Sequence, residues 1–134
     1  MAGPENHVRI ARPSRDLAAA RRFYVDGLGL SVLYSAAAGG PGEHDVLMVG
    51  WPGGTWHFEL TRDPAGHGGP APTADDLFVL YLGGPVPEDL VEALLAAGGE
   101  RVPSSYWDKC GVTVMDPDGY RLVLCQRTWD RSKS

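Results

Sequence analysis

The residues best able to do chemistry gather on one face of short alternating segments. Counting by two along Val8–Ala11 and Thr55–Thr61 sets Arg9, His57 and Glu59 together, opposite Ile10, Phe58 and Leu60. The same count near the C-terminus adds Leu77, Tyr81, Arg121, Val123 and Cys125. Arginine presents paired N–H groups that suit a carboxylate, phosphate or enolate oxygen. A carboxylate desolvated in a cleft can be tuned toward a general base. Arg9 and Glu59 therefore read either as an anion-binding group beside a proton acceptor, or as an ion pair that only fills space. His57 reads first as a satisfied structural histidine, with a ligand contact as the alternative. His7, His44 and His67 fall in the terminus and loops and read as solvated. Tyr106 and Trp107, in the loop Ser104–Asp108, are placed with Trp51 as rings that stack on a flat ligand, or else pack at a rim or between subunits.

These residues need a frame. Val8–Ala11 reads as a strand, followed by a helix with Ser14 or Asp16 as its cap and Leu17, Ala20, Tyr24 and Leu28 on one stripe. Gly27 and Gly29 close that helix. Strands follow at Leu30–Tyr34, His44–Trp51 and Thr55–Thr61, the last two joined around Pro52-Gly53-Gly54. Residues 62–75 are a Pro/Gly-rich connector. Then the order recurs: a strand at Leu77–Leu82, a helix opening at Pro87-Glu88-Asp89 with Leu90, Leu94 and Leu95 inward, and strands at Arg101–Pro103, Lys109–Met115 and Tyr120–Gln126. Strand, helix and three strands occur twice. Two similar halves of an α+β domain are expected, with Val8, Ile10, Phe58, Leu60, Phe78, Leu80, Leu122 and Leu124 beneath the helices.

The last hairpin can be read to the residue. Asp116-Pro117-Asp118-Gly119 suits a type I turn followed by glycine in the left-handed region, pairing Asp116 with Tyr120. Val114 then opposes Leu122 and Val112 opposes Leu124, which keeps one face aliphatic. In that register Cys110 and Cys125 fall on opposite faces and read as two separate thiols.

Composition excludes several classes. The chain has 134 residues, 43% hydrophobic and 22% charged, enough for one globular domain without staples. A net charge of −5 argues against a nucleic-acid surface, which wants clustered cations. No apolar run approaches the roughly 20 residues of a membrane span, and the N-terminus lacks the regions of a signal peptide. Two cysteines are too few for a disulfide scaffold. A cytoplasmic protein is expected.

In sequence order, Asp16-Leu17, Phe23-Tyr24, Gly27-Leu28-Gly29-Leu30, His57-Phe58-Glu59-Leu60 and Asp116-Pro117-Asp118-Gly119-Tyr120 form a pattern that resembles the glyoxalase / bleomycin resistance / extradiol dioxygenase proteins. These are also called the vicinal oxygen chelate (VOC) superfamily. The resemblance runs from about Val8 to Gln126 and implies two βαβββ modules whose sheets curl into one cup, helices outside and the site within. It implies a single domain over 1–134, with modules near 7–61 and 76–127 joined by a linker at 62–75. Metal-binding members carry inward His or Glu at positions matching Arg9, Glu59, Leu77 and Val123. Only Glu59 keeps a donor there, so no metal and no other cofactor is expected. The function implied is metal-independent binding of a small molecule, drug sequestration included, by Arg9, His57, Trp51, Tyr81, Tyr106, Trp107 and Arg121. The alternative is an enzyme, a lyase, isomerase or dioxygenase, with Glu59 as base or metal ligand. A homodimer is the implied assembly.

Overall fold

The computed structural model describes residues 1–129. Strand β1 (Val8–Pro13) leads to α1 (Leu17–Arg21), which widens into a π-helical turn over Arg22–Gly27. Strands β2 (Ser31–Ala36), β3 (Asp45–Gly50) and β4 (Trp56–Arg62) complete the first module. The second contains β5 (Leu77–Tyr81), α2 (Glu88–Ala96), β6 (Glu100–Val102), a 3-10 turn (Trp107–Lys109), β7 (Gly111–Met115) and β8 (Arg121–Cys125). The repeat expected from the sequence is present, in a glyoxalase-like α+β fold. Its eight strands are divided between two sheets, ordered β1-β4-β3-β2 and β5-β8-β7-β6. In each, the first strand runs parallel to the last and the other neighbours are antiparallel.

Of the two candidate caps, Asp16 accepts from the Ala19 amide at 3.1 Å, while Ser14 Oγ accepts from the Asp16 amide at 3.3 Å. The wider turn that follows is fixed by the Leu28 amide donating to the Phe23 carbonyl, 2.9 Å away. It turns Phe23, Tyr24 and Gly27 into the core. That core is shared: Tyr24, Val49, Phe58 and Leu60 pack in one cluster with Leu94, Val114, Leu122 and Leu124. Phe58 and Phe78 meet edge-on at 4.7 Å between ring centres, one from each sheet. The helix-side faces of the two sheets therefore converge, and their other faces look outward.

Three expectations about burial fail at particular places. Val8 and Ile10 lie on the helix-side face but are 51% and 50% exposed, because β1 is an outer strand with a neighbour on one side only. Leu95 is 40% exposed, one residue round the helix from the buried Leu94.

The C-terminal hairpin has the expected register, with Val112 opposite Leu124, Val114 opposite Leu122 and Met115 opposite Arg121. The Asp116 amide donates to the Tyr120 carbonyl at 2.7 Å, and Gly119 takes a φ of +93°, which closes the turn. The cysteines are not separated as expected. Cys110 precedes β7 at the end of the 3-10 turn, where strand parity no longer applies, and its Sγ lies 3.6 Å from that of Cys125. Both are free thiols.

The same turn clasps the first module. Tyr24 donates to Asp116 Oδ2 at 2.6 Å, and Arg12 reaches both that oxygen, at 3.4 Å, and the Tyr24 hydroxyl. Asp116 Oδ1 accepts from the amides of Asp118 and Tyr120, and Asp118 accepts from the Arg15 amide at 2.9 Å. No helix of the described residues is long and apolar enough to cross a membrane.

Candidate functional site

The outward face of the first sheet brings together the residues that parity singled out. Parallel pairing sets Arg9 beside His57 and Ala11 beside Glu59. The Arg9 guanidinium lies 3.2 Å from Glu59 Oε2, and its Nε donates to His57 Nε2 at 3.2 Å. Arginine can only donate, so His57 accepts at Nε2 and carries its proton on Nδ1. That proton points at His7 Nε2, 2.5 Å away. His7 is exposed, as expected of a terminal residue, and is also a partner of the cluster. Burial lowers the His57 pKa, the neighbouring His7 and Arg9 lower it further, and Glu59 acts in the opposite sense. His57 is held neutral.

Glycine makes room for this arrangement. Gly50 is the cross-strand partner of His57, and a Cβ there would stand 2.9 Å from the His57 Cβ and 3.1 Å from Leu33. Beyond Glu59 the face opens into a hollow of about 630 Å³, lined by Tyr34, Glu43, His44, Val46 and Thr61 among others. The sequence places neither Tyr34 nor His44 at a site: Tyr34 reads as a strand end and His44 as solvated. Tyr34 reaches the face because β2 shifts register between Val32 and Tyr34, a bulge that reverses simple alternation. Strand spacing carries no signal for His44, which lies in the loop.

The other expected ligand residues lie elsewhere. Register places Leu77, Tyr81, Thr113, Arg121, Val123 and Cys125 on the outward face of the second sheet. There Tyr81 packs on Trp129 at 5.5 Å between ring centres, and Arg121 donates to the Ala74 carbonyl at 3.5 Å. Trp107 packs over Val123 and the two cysteines, with the exposed Tyr106 edge-on against it at 5.0 Å. Trp51 leans edge-on against Trp56, whose ring touches Phe58 and Phe78 on the helix side. Within one chain, none of these joins the Arg9 cluster. Among the described residues, no three His, Cys, Asp or Glu side chains converge as a metal site would require. Val123 and Leu77 supply no donor, and the one carboxylate at a ligand position faces a guanidinium.

Two modules of this topology give the fold of the vicinal oxygen chelate class, and the comparisons agree. The YycE-like N-terminal domain matches residues 8–61 and the YycE-like C-terminal domain matches residues 75–126; the chain belongs to this YycE-like family. It is 36% identical over 122 residues to the YycE protein of Bacillus subtilis (strain 168), covering 87% of this chain and 85% of that one. The crystal structure of a Bacillus subtilis YycE protein superimposes with a TM-score of 0.80 at 32% identity, over 95% of this chain and 93% of the other. Two more distant structures share the fold. One is the fosfomycin resistance protein FosX of Listeria monocytogenes, as an E126Q mutant with Mn(II) and dihydroxypropylphosphonic acid (TM-score 0.69, 14% identity, 100% and 99% covered). The other is TnmS3, an antibiotic-binding protein from Streptomyces sp. CB03234 (TM-score 0.62, 21% identity, 96% and 99% covered).

Proposed function

We infer that this protein binds a small oxygenated molecule without a metal, on the outward face of its first sheet. One observation carries the reading: a guanidinium stands between Glu59 and His57, each 3.2 Å away. A divalent cation at Glu59 would meet the positive charge of Arg9, and the His57 nitrogen turned toward it is already occupied. The donors present fit an anion better than a metal. Arg9 is 52% exposed, so an incoming carboxylate, phosphonate or enolate oxygen can take up the guanidinium edge not spent on Glu59 and His57. The hollow beside Glu59 would receive the rest of the ligand, with Tyr34 as a ring to lie against. Drug sequestration is the binder form of this reading; TnmS3, which shares the fold, is an antibiotic-binding protein.

A homodimer belongs to the same proposal. β1 and β5 are outer strands, and on the outward face of the second sheet Leu77 and Tyr81 stay exposed beside the part that Trp107 covers. A second copy facing its second sheet to this first one would close the cup around Arg9 and bring Tyr81, Trp107 and Arg121 to the ligand. The enzymatic alternative keeps the same pocket and uses Glu59 as base.

A thermal-shift screen of small carboxylates, phosphonates and phenols tests the reading, because a ligand of the native state raises Tm by mass action. A stabilising compound is expected, with the shift lost in Arg9→Ala. Glu59→Gln should retain binding; a hundredfold loss of turnover with binding intact would make the protein an enzyme. Stoichiometric metal retained through dialysis against a chelator, and lost in Glu59→Gln, would overturn the metal-free site. A monomer by sedimentation at micromolar concentration would remove the composite cup.

A further inference from the structure

On the second module, away from that cluster, the two cysteines make an arrangement no part of the proposed site uses. Their sulfurs touch at 3.6 Å, and the residues are 3% and 0% exposed. The contact follows from the backbone. At Gly111 strand β7 comes so close to β8 that a Cβ would stand 2.0 Å from the Leu124 carbonyl oxygen. Immediately before it, the Cys110 carbonyl accepts from the Gln126 amide at 2.8 Å. Cys110 is thereby pinned beside the end of β8, and its side chain turns onto Cys125. Val79 and Trp107 pack over the pair. Trp107 belongs to the segment Pro103–Lys109, which has no strand partner, so the thiols lie at the foot of a loop.

We propose that Cys110 and Cys125 form a reversible intramolecular disulfide that fixes the Trp107 loop over the second sheet, the oxidant being a small hydroperoxide. Closing the bond draws the sulfurs from contact to about 2.05 Å. Either thiol, as thiolate, attacks the terminal peroxide oxygen, becoming a sulfenic acid while the peroxide leaves as water or alcohol. The second sulfur then displaces hydroxide from the first, and the S–S bond forms with release of water. Two thiols lose two electrons and two protons; the peroxide gains them. A small dithiol reverses the step by exchange. Burial and the adjacent Cys125 raise the Cys110 pKa, so the bridge should form slowly at neutral pH and faster as the pH rises.

The full-length reduced protein, freed of reductant and exposed to hydrogen peroxide, supplies the test. An intact mass lower by two hydrogens is expected, with no thiol left to alkylate after denaturation, a raised Tm, and full reversal by dithiothreitol. Trypsin cleavage after Lys109 should slow on oxidation, because the loop is then tied to β8. Cys125→Ala should instead gain oxygen at Cys110 and show no rise in Tm. Two unreacted thiols after prolonged exposure, covalent dimers, or sulfinic acids on the wild-type protein would each overturn the bridge. A bridge that leaves Lys109 cleavage unchanged would overturn its action on the loop. None of these readouts depends on ligand binding at Arg9.

Discussion

Arg9 and Arg12 stand three residues apart on one strand and live in different worlds. Arg12 points to the helix side, its guanidinium 4.7 Å over the Phe58 ring and 4.3 Å over that of Tyr120, with its side chain 15% exposed. It meets Asp116, 2% exposed, whose other partners are Tyr24 and two backbone amides. Arg9 points outward, 52% exposed, to a Glu59 that is 20% exposed. The chemistry is the same, a guanidinium and a carboxylate. Burial decides what each can do. In the first pair every oxygen of Asp116 is committed, so the charges are a fastening between modules and no ligand can compete for them. In the second, solvent weakens the pair to about 0–1 kcal/mol, and an incoming anion can displace or share it at small cost.

Asp116→Ala should break the comparison most severely. It strands Arg12, Tyr24 and two amides at once, and loss of one partner from a buried pair costs about 3–5 kcal/mol. Urea unfolding should show that loss; a change below 1 kcal/mol would mean the latch holds nothing. Burial pushes the Asp116 pKa up despite the donors around it. A neutral Asp116 would still accept from Tyr24, so Asp116→Asn should restore part of the stability.

Arg9→Ala should do the reverse. Stability should change by less than about 1 kcal/mol, as for exposed pairs. Affinity for a carboxylate or phosphonate ligand found by thermal shift should fall by about 1.5–3 kcal/mol, the range for a hydrogen bond to a charged group. Titration calorimetry on the variant checks both halves, because a stability loss as large as that of Asp116→Ala would make Arg9 structural as well.

Parity along the first strand set Arg9 on the face of His57 and Glu59, which is why those three were legible in the sequence, whereas Arg12 lies beyond the Val8–Ala11 segment read there as a strand. The hairpin register was legible for a related reason: only one pairing keeps Val112, Val114, Leu122 and Leu124 on one side. The second role of the turn was not. Asp116 reaches Tyr24 across 92 positions and Arg12 across 104, and no local pattern announces a contact of that range. Period-two counting also fails wherever the chain leaves the ladder. The bulge in β2 hid Tyr34, the 3-10 turn displaced Cys110, and the contact of His7 with His57 carried no signal because His7 precedes the first strand.

Gly50→Ala sharpens the outward half of the comparison. The added methyl would meet the His57 Cβ, which moves only with its backbone, and the tip of Leu33, and overpacking of this kind costs about 1–3 kcal/mol. Because His57 would move away from Arg9, ligand affinity should fall together with stability. Unchanged affinity would show that the His57–Arg9 contact does not orient the guanidinium.

The smallest effect lies in pH. The pKa of His57 is lowered from 6.5 in the folded protein, chiefly by burial and then by His7 and Arg9. As the pH falls below 6.5, the unfolded chain takes up a proton at this residue that the folded chain refuses. The stability His57 contributes is therefore complete above 6.5 and is lost as the pH drops through the lowered folded value. One proton can tilt stability by no more than about 1.4 kcal/mol per pH unit, and only inside that window. Protonation at Nε2 would also set a donor against the Arg9 Nε–H, which now has an acceptor there. His57→Gln keeps an acceptor for Arg9 and removes the titration. Unfolding free energies between pH 7 and 5 should thus rise less steeply with pH in the variant than in the wild type. Asp116 acts in the opposite sense: its raised pKa favours the folded state on the acid side, and that contribution is lost as the pH rises through the folded value. Identical slopes in His57→Gln and wild type would show that this histidine is not the neutral acceptor on which the geometry of Arg9 depends.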